Sequence, residues 1–438
     1  MLTGMLGNAL STVLGRNLIA AVVFLGCLDL SPRLNAADWP RWRGPNNDGH
    51  TVATKPLGQL PADPTPRWTV RLGAGFSSPV IAGAKLAIMD NENDREVLRV
   101  FDAADGRLRW KAEIDDTFTD TQGPPGPRNT PVIDGDRIYA VSCKGELQCR
   151  QLADGRQLWR VNYTNDLGAI FIGERGTVPG AARHGNNGSP LIDGPHLIAP
   201  VGGTNGHSVV AFDKLSGNVA WHSQDDMAGY GAPVVADLAG IRQVIVFTVD
   251  GVLGLRRDNG QLLWRVPLQT AYGRHVMTPV VGHDHVIVGS HQVGLTAVRL
   301  ERDGEGIRAL TAWVSKEATP NFAQPVAHGG WLYTLGPKRE LLCVDIATGR
   351  IRWRETGLII TPADRAYCSF VVAGDEVLML SDAGELILFA SNPERFDPRG
   401  RVQVSALNWC SPAYVDGTLY LRDGLRGAGN LMAIPLRP

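Results

Sequence analysis

No two cysteines are adjacent anywhere in the 438 residues, and the formal net charge is only −1. No run of Lys or Arg exceeds a couple of residues. A chain with no basic stripe lacks the electrostatic footprint of a nucleic-acid binder, so DNA and RNA are not expected among its partners. Cysteine is scarce, at positions 27, 143, 149, 343, 368 and 410. Without the first of these an odd number remains, which excludes a disulfide scaffold. Cys143 with Cys149, and Cys368 with Cys410, are the two pairs whose spacing would allow a bridge, and neither spacing favours one. Long apolar runs are also wanting. The one near the N-terminus, "NLIAAVVFLGCLDL" after Arg16, is short for a membrane span and has the length of a signal peptide. "LNA" before Ala37 supplies a small-residue cleavage site, so the mature chain is expected to begin near Ala37 or Asp38, exported to the periplasm or envelope. A lipoprotein signal ending at Cys27 is the rival reading, and the residues before that Cys fit its pattern poorly.

Aromatic residues are sparse at 7%, yet 11 of them are Trp, and glycine is abundant at 51. The two come together in a recurring segment. "FDAADGRLRW" ends at Trp110, "RQLADGRQLW" at Trp159, "AFDKLSGNVAW" at Trp221, "LRRDNGQLLW" at Trp264 and "CVDIATGRIRW" at Trp353. In each a glycine stands four positions before the Trp: Gly106, Gly155, Gly217, Gly260 and Gly349. A second repeated segment precedes each turn, as in "SSPVIAGAKLAIM" from Ser77 and "NTPVIDGDRIYAV" from Asn129. Its anchoring prolines are Pro79, Pro131, Pro190, Pro233, Pro279, Pro325 and Pro412, with Phe370 in the seventh slot. The period is that of a four-stranded propeller blade and not of a helical solenoid.

Each unit parses as four short strands punctuated by Gly and Asp. The fold class is therefore all-β, an eight-bladed β-propeller over residues 65–438, preceded by a signal peptide (1–37) and an N-terminal extension (38–64). The eighth unit runs out after three strands. "PRWTVRL", containing Trp68, can supply the fourth, closing the ring and removing an exposed sheet edge. The repeated Trp residues (Trp68, Trp110, Trp159, Trp221, Trp264 and Trp353, with Trp313 in a degenerate fifth unit) are expected on outer strands, covering the junction with a neighbouring blade.

The "D-x-x-x-G-x-x-x-W" turn, strict at Asp102, Asp213 and Asp345, resembles the tryptophan-docking repeat of the quinoprotein alcohol dehydrogenase-like (PQQ-like) propellers. "DWPRWRGPNNDG", from Asp38 to Gly49, resembles the opening of many exported members of that group. The resemblance covers about residues 65–438 and implies one of two functional worlds. One is a pyrroloquinoline quinone (PQQ)-dependent dehydrogenase. The other is a non-catalytic propeller such as the lipoprotein of the outer-membrane β-barrel assembly machinery. The dehydrogenases sandwich PQQ between a Trp and a vicinal Cys-Cys disulfide, bind Ca²⁺ through Glu and Asn, and use an Asp as base. With no Cys-Cys pair and only scattered carboxylates (Asp115, Asp116, Asp120, Glu174, Asp364), neither PQQ nor calcium is expected here, and no catalytic residue is assigned. His283 and His285 have a spacing that could hold a metal, but they fall in a blade turn and read as solvated; no metal site is expected.

Propellers bind ligands at the ends of the central channel, so the loops entering the inner strands are where individuality should sit. Those positions carry Phe76, Arg128, Asn129, His184, Asn187, Tyr230, Arg274, His275, Asn321, Phe322, Arg365, Tyr367 and Trp409. They predict a rim of aromatic, amide and guanidinium groups suited to a carbohydrate, an extended peptide or an anionic ligand. Two long insertions, 164–188 and 115–128, are expected to fold over the same face. The expectation is a monomeric, exported binding or scaffold module whose partner is a protein, peptide or carbohydrate of the envelope.

Overall fold

The structure, a computed structural model, describes residues 38–437 apart from 53–54, 176, 363–364 and 425–426. The expected leader peptide, the Cys27 alternative and Asp364 lie outside those residues. Within them the chain makes eight separate four-stranded antiparallel sheets. Helix is confined to short turns, the longest being Tyr163–Leu167. In seven sheets the strands follow chain order from the channel outward. The inner strands include Val80–Ala82, Val132–Asp134, Leu191–Asp193 and Val280–Gly282. The eighth sheet is composite: Trp68–Leu72 pairs antiparallel with Gly429–Pro435, Trp68 opposite Ala433 and Leu72 opposite Gly429. The first strand of the ring thus completes the last blade, and the edge that a three-stranded sheet would expose is paired instead.

The repeated turn explains the glycine. The N–H groups of Gly106, Gly155, Gly217, Gly260 and Gly349 each donate to the carbonyl four residues back, at 2.8–2.9 Å. All five glycines have φ between +71° and +79°, a region costly for residues with a Cβ. The tryptophans do not pack on the glycine of their own repeat. Trp110 lies against Gly155 of the following blade, Trp159 against Gly217, Trp221 against Gly260, and Trp68 of the closing strand against Gly106. Trp313 occupies the same slot against Gly349. Each indole N–H then donates to a carbonyl beside that glycine's turn: Trp68 to Ala103 and Trp110 to Leu152 at 3.0 Å, Trp159 to Lys214 and Trp221 to Arg257 at 3.1 Å, Trp313 to Ile346 at 2.8 Å. Trp353 does likewise with Asn392.

Trp264 departs from the pattern. Its indole bonds Gln243 of its own sheet at 2.6 Å. The next blade's outer hairpin is longer, Gly294–Asp303 with Gly306–Ser315, and its turn glycine Gly304 has nothing within 4 Å. The lengthened hairpin carries the docking turn out of reach, so this indole finds its acceptor at home. Of the two histidines expected in a solvated turn, His283 is exposed, but His285 is buried at the start of its strand, 2.7 Å from Asp284. The five described cysteines are all buried and unpaired.

Residues 38–51 do not trail from the ring; they run through its channel. Trp39 pairs with Ile81 of the first inner strand, with both N–H···O bonds at 2.8 Å. The carbonyl of Pro40 accepts from Ile133 N–H of the second blade. The Arg41 guanidinium donates to Ile192 O in the third at 2.6 Å, Trp42 to the Thr278 hydroxyl in the fifth at 3.0 Å, and Arg43 to Pro325 O in the sixth at 2.6 Å. The chain then turns back, and Gly49 and Thr51 bracket Val372 of the seventh blade. Asp38 touches Gly83, at the exit of its inner strand, while Trp42 reaches Thr278, at the entry of its own. The segment therefore enters from the face opposite the predicted rim, turns beneath that rim, and leaves the way it came.

If glycine is required at these turns to admit the neighbouring Trp, two left-handed glycines should respond differently to alanine. A Cβ on Gly83 (φ +57°) meets nothing within 4 Å, whereas one on Gly155 (φ +79°) lies 2.6 Å from the Trp110 ring. Gly83→Ala is expected to cost about 1 kcal/mol of backbone strain, and Gly155→Ala roughly 3 kcal/mol because the blade junction must also open. Urea midpoints measure both; equal losses would deny the docking role.

Candidate ligand site on the entry face

Directly above Trp42 the channel widens into a cavity of about 420 Å³, within the ~300–1,000 Å³ range of small-molecule sites. Its walls are built by the loops entering the inner strands. Of the expected rim residues, Phe76, Arg128, His184, Asn187 and Tyr230 line it from the first four blades, and Arg274, Phe322, Tyr367 and Trp409 from the last four. Arg365 faces an adjoining cleft, shared with Phe76, Gln122 and Trp409.

Three expected residues do not reach the cavity. Asn129 is buried, its side-chain N–H₂ donating to Asn186 O at 2.6 Å. His275 is fully buried and stacks flat on Phe247, centroids 4.1 Å apart, with Nδ1 2.6 Å from Thr248 O. Burial pulls its pKa down to about 4, so it stays neutral as a packing residue. Asn321 adopts a left-handed turn at φ +48°, the geometry for which Asn is suited. In all three the neighbouring residue, Arg128, Arg274 or Phe322, lines the cavity instead.

The cavity is also lined by residues that alignment of the repeats alone did not single out: Trp42, Gln122, Arg183, Tyr272, and Ser189, Thr278 and Gln324 of a layer just before the anchoring prolines. That layer had a visible signal, the hydroxyl or amide residue preceding Pro in "SSPV", "NTPV", "GSPL", "MTPV", "AQPV" and "CSPA". These side chains link neighbouring blades. Ser78 N–H donates to Thr130 Oγ1 at 3.2 Å, Thr130 N–H to Ser189 Oγ at 2.9 Å, Thr278 N–H to Gln324 Oε1 at 2.9 Å, and Ser411 N–H to Ser78 Oγ at 3.0 Å. The last of these crosses the closure between the eighth blade and the first.

One half of the wall is aromatic. Trp409 sits among Phe76, Phe322 and Tyr367, with centroids 5.6, 5.1 and 6.4 Å away. The other half is basic. Arg183 lies over the Tyr272 ring at 5.0 Å and Arg274 over Phe322 at 4.5 Å. Arg128 is held by the first insertion: both of its terminal nitrogens bond Asp120, at 2.9 and 2.6 Å, and His184 Nδ1 lies 2.8 Å from the same carboxylate. The second insertion docks on the first through Glu174, which accepts from Thr121 N–H and hydroxyl at 2.9 and 2.6 Å, and through Phe171 against Phe118. Burial alone would raise the Asp120 pKa, but the bonds from His184 and Arg128 outweigh it and hold the carboxyl well below the usual range.

Asp120, Glu174 and His184 have ligand atoms within 4.8 Å of one another. Asp120 already gives both oxygens to Arg128, so the trio reads as the staple between the two insertions. Nor does the cavity fit the calcium and quinone that the resemblance makes available. Calcium takes six to eight oxygens, usually several carboxylates. The lining holds neutral amides and hydroxyls, three arginines and no Asp or Glu. No cysteine lines it.

The model of the family described as outer membrane protein assembly factor BamB matches residues 60–166 and 93–355. A protein of that name from Yersinia pestis is 24% identical over 274 residues, 60% of this chain and 65% of its own length. One from Bordetella pertussis is 29% identical over 177 residues, covering 40% of this chain and 42% of that protein. The chain thus spans less than two thirds of the length of these two relatives. Among solved structures, BamB from Moraxella catarrhalis shares 15% identity at TM-score 0.55, covering 84% of this chain and all of that one. Quinohemoprotein alcohol dehydrogenase ADHIIG from Pseudomonas putida HK5 shares 12% at TM-score 0.60, covering 92% and 80%. At these identities the structural likeness is one of fold alone.

Asp120→Asn should cost roughly 3 kcal/mol, the low end for breaking a buried ion pair. Because the Asp120 pKa is depressed in the folded protein, its stabilising contribution is present above about pH 4 and is lost as the pH falls further. Thermal melts from pH 7 to pH 3 should show the gap between wild type and variant narrowing on the acid side; a constant gap would deny the ion pair its role.

Proposed function

The chain belongs to the family of the outer membrane protein assembly factor BamB, and on that premise we propose that it is a non-catalytic binding and scaffold propeller of the cell envelope. The cavity over Trp42 is its ligand site. The observation that carries the reading is the composition of that cavity: a plugged channel floor, an aromatic wall, a guanidinium wall and no carboxylate in the lining. Such a surface can hold and orient a ligand. It offers no carboxylate base at the wall: the nearest acid, Asp120, is spent on Arg128, and the lining imidazole of His184 is engaged at both ring nitrogens, by Asp120 and Arg183.

The leader-like N-terminal sequence supports the export part of this reading, and no helix among the described residues is long and apolar enough to cross a membrane. A macromolecular partner fits the same face. Ile170, Ile172, Tyr272, Ile360 and Leu407 are exposed large apolar side chains, and all stand on loops that enter inner strands. Exposed apolar residues gathered on one face mark interaction surfaces. By analogy with the relatives' name, the partner we propose is the outer-membrane protein assembly machinery.

Protein incubated with PQQ and Ca²⁺ should show no dye-linked alcohol oxidation; turnover would overturn the non-catalytic reading. Tagged protein solubilised from native envelope should co-purify with barrel-assembly components, and Ile170→Asp with Ile172→Asp should lower recovery roughly fivefold, about 1 kcal/mol. A clean failure of the wild-type co-purification would remove the assembly role.

A further inference from the structure

Most polar groups of the cavity's lining are already used by the fold. Arg128 is paired with Asp120, Arg183 Nε donates to His184 Nε2 at 3.2 Å, and the Tyr230 and Tyr367 hydroxyls are bonded to Gly180 O and Ser411 Oγ. Gln324 gives its oxygen to Thr278 N–H and its nitrogen to Val276 O. What remains is led by donors. The Trp409 indole N–H is buried with no acceptor. The Ser189 and Thr278 hydroxyls accept from Thr130 N–H and from Trp42, while their own protons meet no acceptor among the described residues. The buried acceptor left over is the Asn187 side-chain oxygen, which has no donor.

The apolar part of the lining is flat. Trp409 sits beside Phe76, Phe322 and Tyr367, and Trp42 closes the floor. Phe76, Gln122 and Trp409 also line the adjoining cleft, together with Pro124, Pro125 and Pro362. Cavity and cleft thus meet at Trp409 in one groove, longer than a single side chain needs. Neither lining contains an Asp or Glu. A cationic ligand would find no counter-ion there, and Arg128 and Arg183 already have partners, so neither sign of charge is called for.

Free donors in excess, aromatic faces and no call for charge are the complement of one kind of chain. An ordinary peptide brings an N–H for every C=O, and a saccharide ring brings several hydroxyl protons; either would bury donors that find no acceptor here. Proline has a carbonyl and no N–H. A polyproline II segment makes no internal hydrogen bonds, so its carbonyls are all available, and it docks on aromatic-lined grooves with little ordering cost.

We propose that the groove formed by cavity and cleft binds an extended, uncharged, proline-rich segment of a partner protein. Its rings lie against the Trp409 cluster, its carbonyls accept from Trp409, Ser189 and Thr278, and one non-proline N–H donates to Asn187. This rests on the reading of the cavity as the ligand site and names the feature of the protein partner that the site takes.

Calorimetry on the full chain compares a capped nonapeptide of L-proline with one central alanine, its all-D mirror image, a capped glycine-serine nonapeptide and cellotetraose. The L-peptide should bind with a Kd below about 1 mM, at least tenfold more tightly than the mirror image or the glycine-serine chain, a difference of about 1.4 kcal/mol. Raising the salt should leave that affinity unchanged, since no ion pair forms. Trp409→Phe keeps a ring and removes the N–H, and Asn187→Ala removes an oxygen that bonds nothing in the fold. Each should weaken the L-peptide about tenfold, and Asn187→Ala should leave the melting temperature unchanged. Equal binding of the mirror image or of the glycine-serine chain would overturn the proline-rich class. Cellotetraose binding that both variants abolish, with no peptide bound, would overturn the peptide while keeping the cavity as the ligand site. L-peptide binding indifferent to both variants would put the peptide elsewhere and overturn the proposal. If no probe binds, the proline-rich segment falls; should the two variants also leave co-purification from envelope unchanged, the reading of the cavity as the ligand site falls with it.

Discussion

A ring of eight sheets turns the inner edge of every sheet toward a common axis, and each edge carries backbone N–H and C=O groups that need partners. The constraint the rest depends on is that these groups cannot be left dry and unpaired. Here the chain answers it with its own N-terminal segment. Residues 39–51 bond backbone or side-chain atoms of six of the eight blades, four on the inner strands themselves and two just ahead of them, with Arg41 and Arg43 serving as long donors to carbonyls. Arginine suits that task because its charge stays on when buried; even with burial pulling it down, Arg43 titrates at about 10. With the axis filled from below, the entry face retains its cavity, and Trp42 is its floor.

The second constraint is tangential. Sheets that meet only through side chains need something at each junction that fixes their relative angle. The docked indoles supply it near the periphery, each bonded to a carbonyl of the next blade. The hydroxyl and amide layer supplies it near the axis. Both systems cross the seam where the chain's ends meet, through Trp68 to Ala103 and Ser411 to Ser78. The seam is thus built like the junction between the first and second blades, where Trp110 bonds Leu152 and Ser78 bonds Thr130, so closing the eighth blade with an N-terminal strand introduces no new kind of contact.

Fold and blade count were legible in the sequence because the period, the Gly-x-x-x-Trp turn and the missing eighth outer strand are local signals. What each Trp touches was only half legible. Spacing ties Trp110 to Gly106, four residues away, but the ring's contact is Gly155 of the next blade, since a strand's side chain points across the sheet face and not back along its own turn. Trp264 shows the limit of the pattern, because hairpin length in a neighbour decides whether the slot exists. Most of the rim was legible for the same reason as the fold: equivalent positions in a repeat reach equivalent places. Asn129, His275 and Asn321 were misplaced because adjacent residues of one loop point opposite ways, and a spacing argument cannot choose between them. Arg183 and Tyr272 sit in irregular segments with no equivalent in other blades. Trp42 lies in a segment whose path no periodicity describes.

The electrostatics of the cavity follow from where its one nearby acid was placed. Asp120 fixes Arg128 and His184 from behind and ties the first insertion to the second, yet its side chain is fully buried and forms no part of the wall. Had the carboxylate stood on the wall instead, it would have repelled an anionic ligand and supplied a base. Set behind Arg128, it orders that guanidinium while the wall itself remains lined by basic and neutral groups alone. A propeller can thus keep the architecture shared with quinoprotein enzymes and yet line its entry face with basic and neutral groups, its nearest acid held behind them.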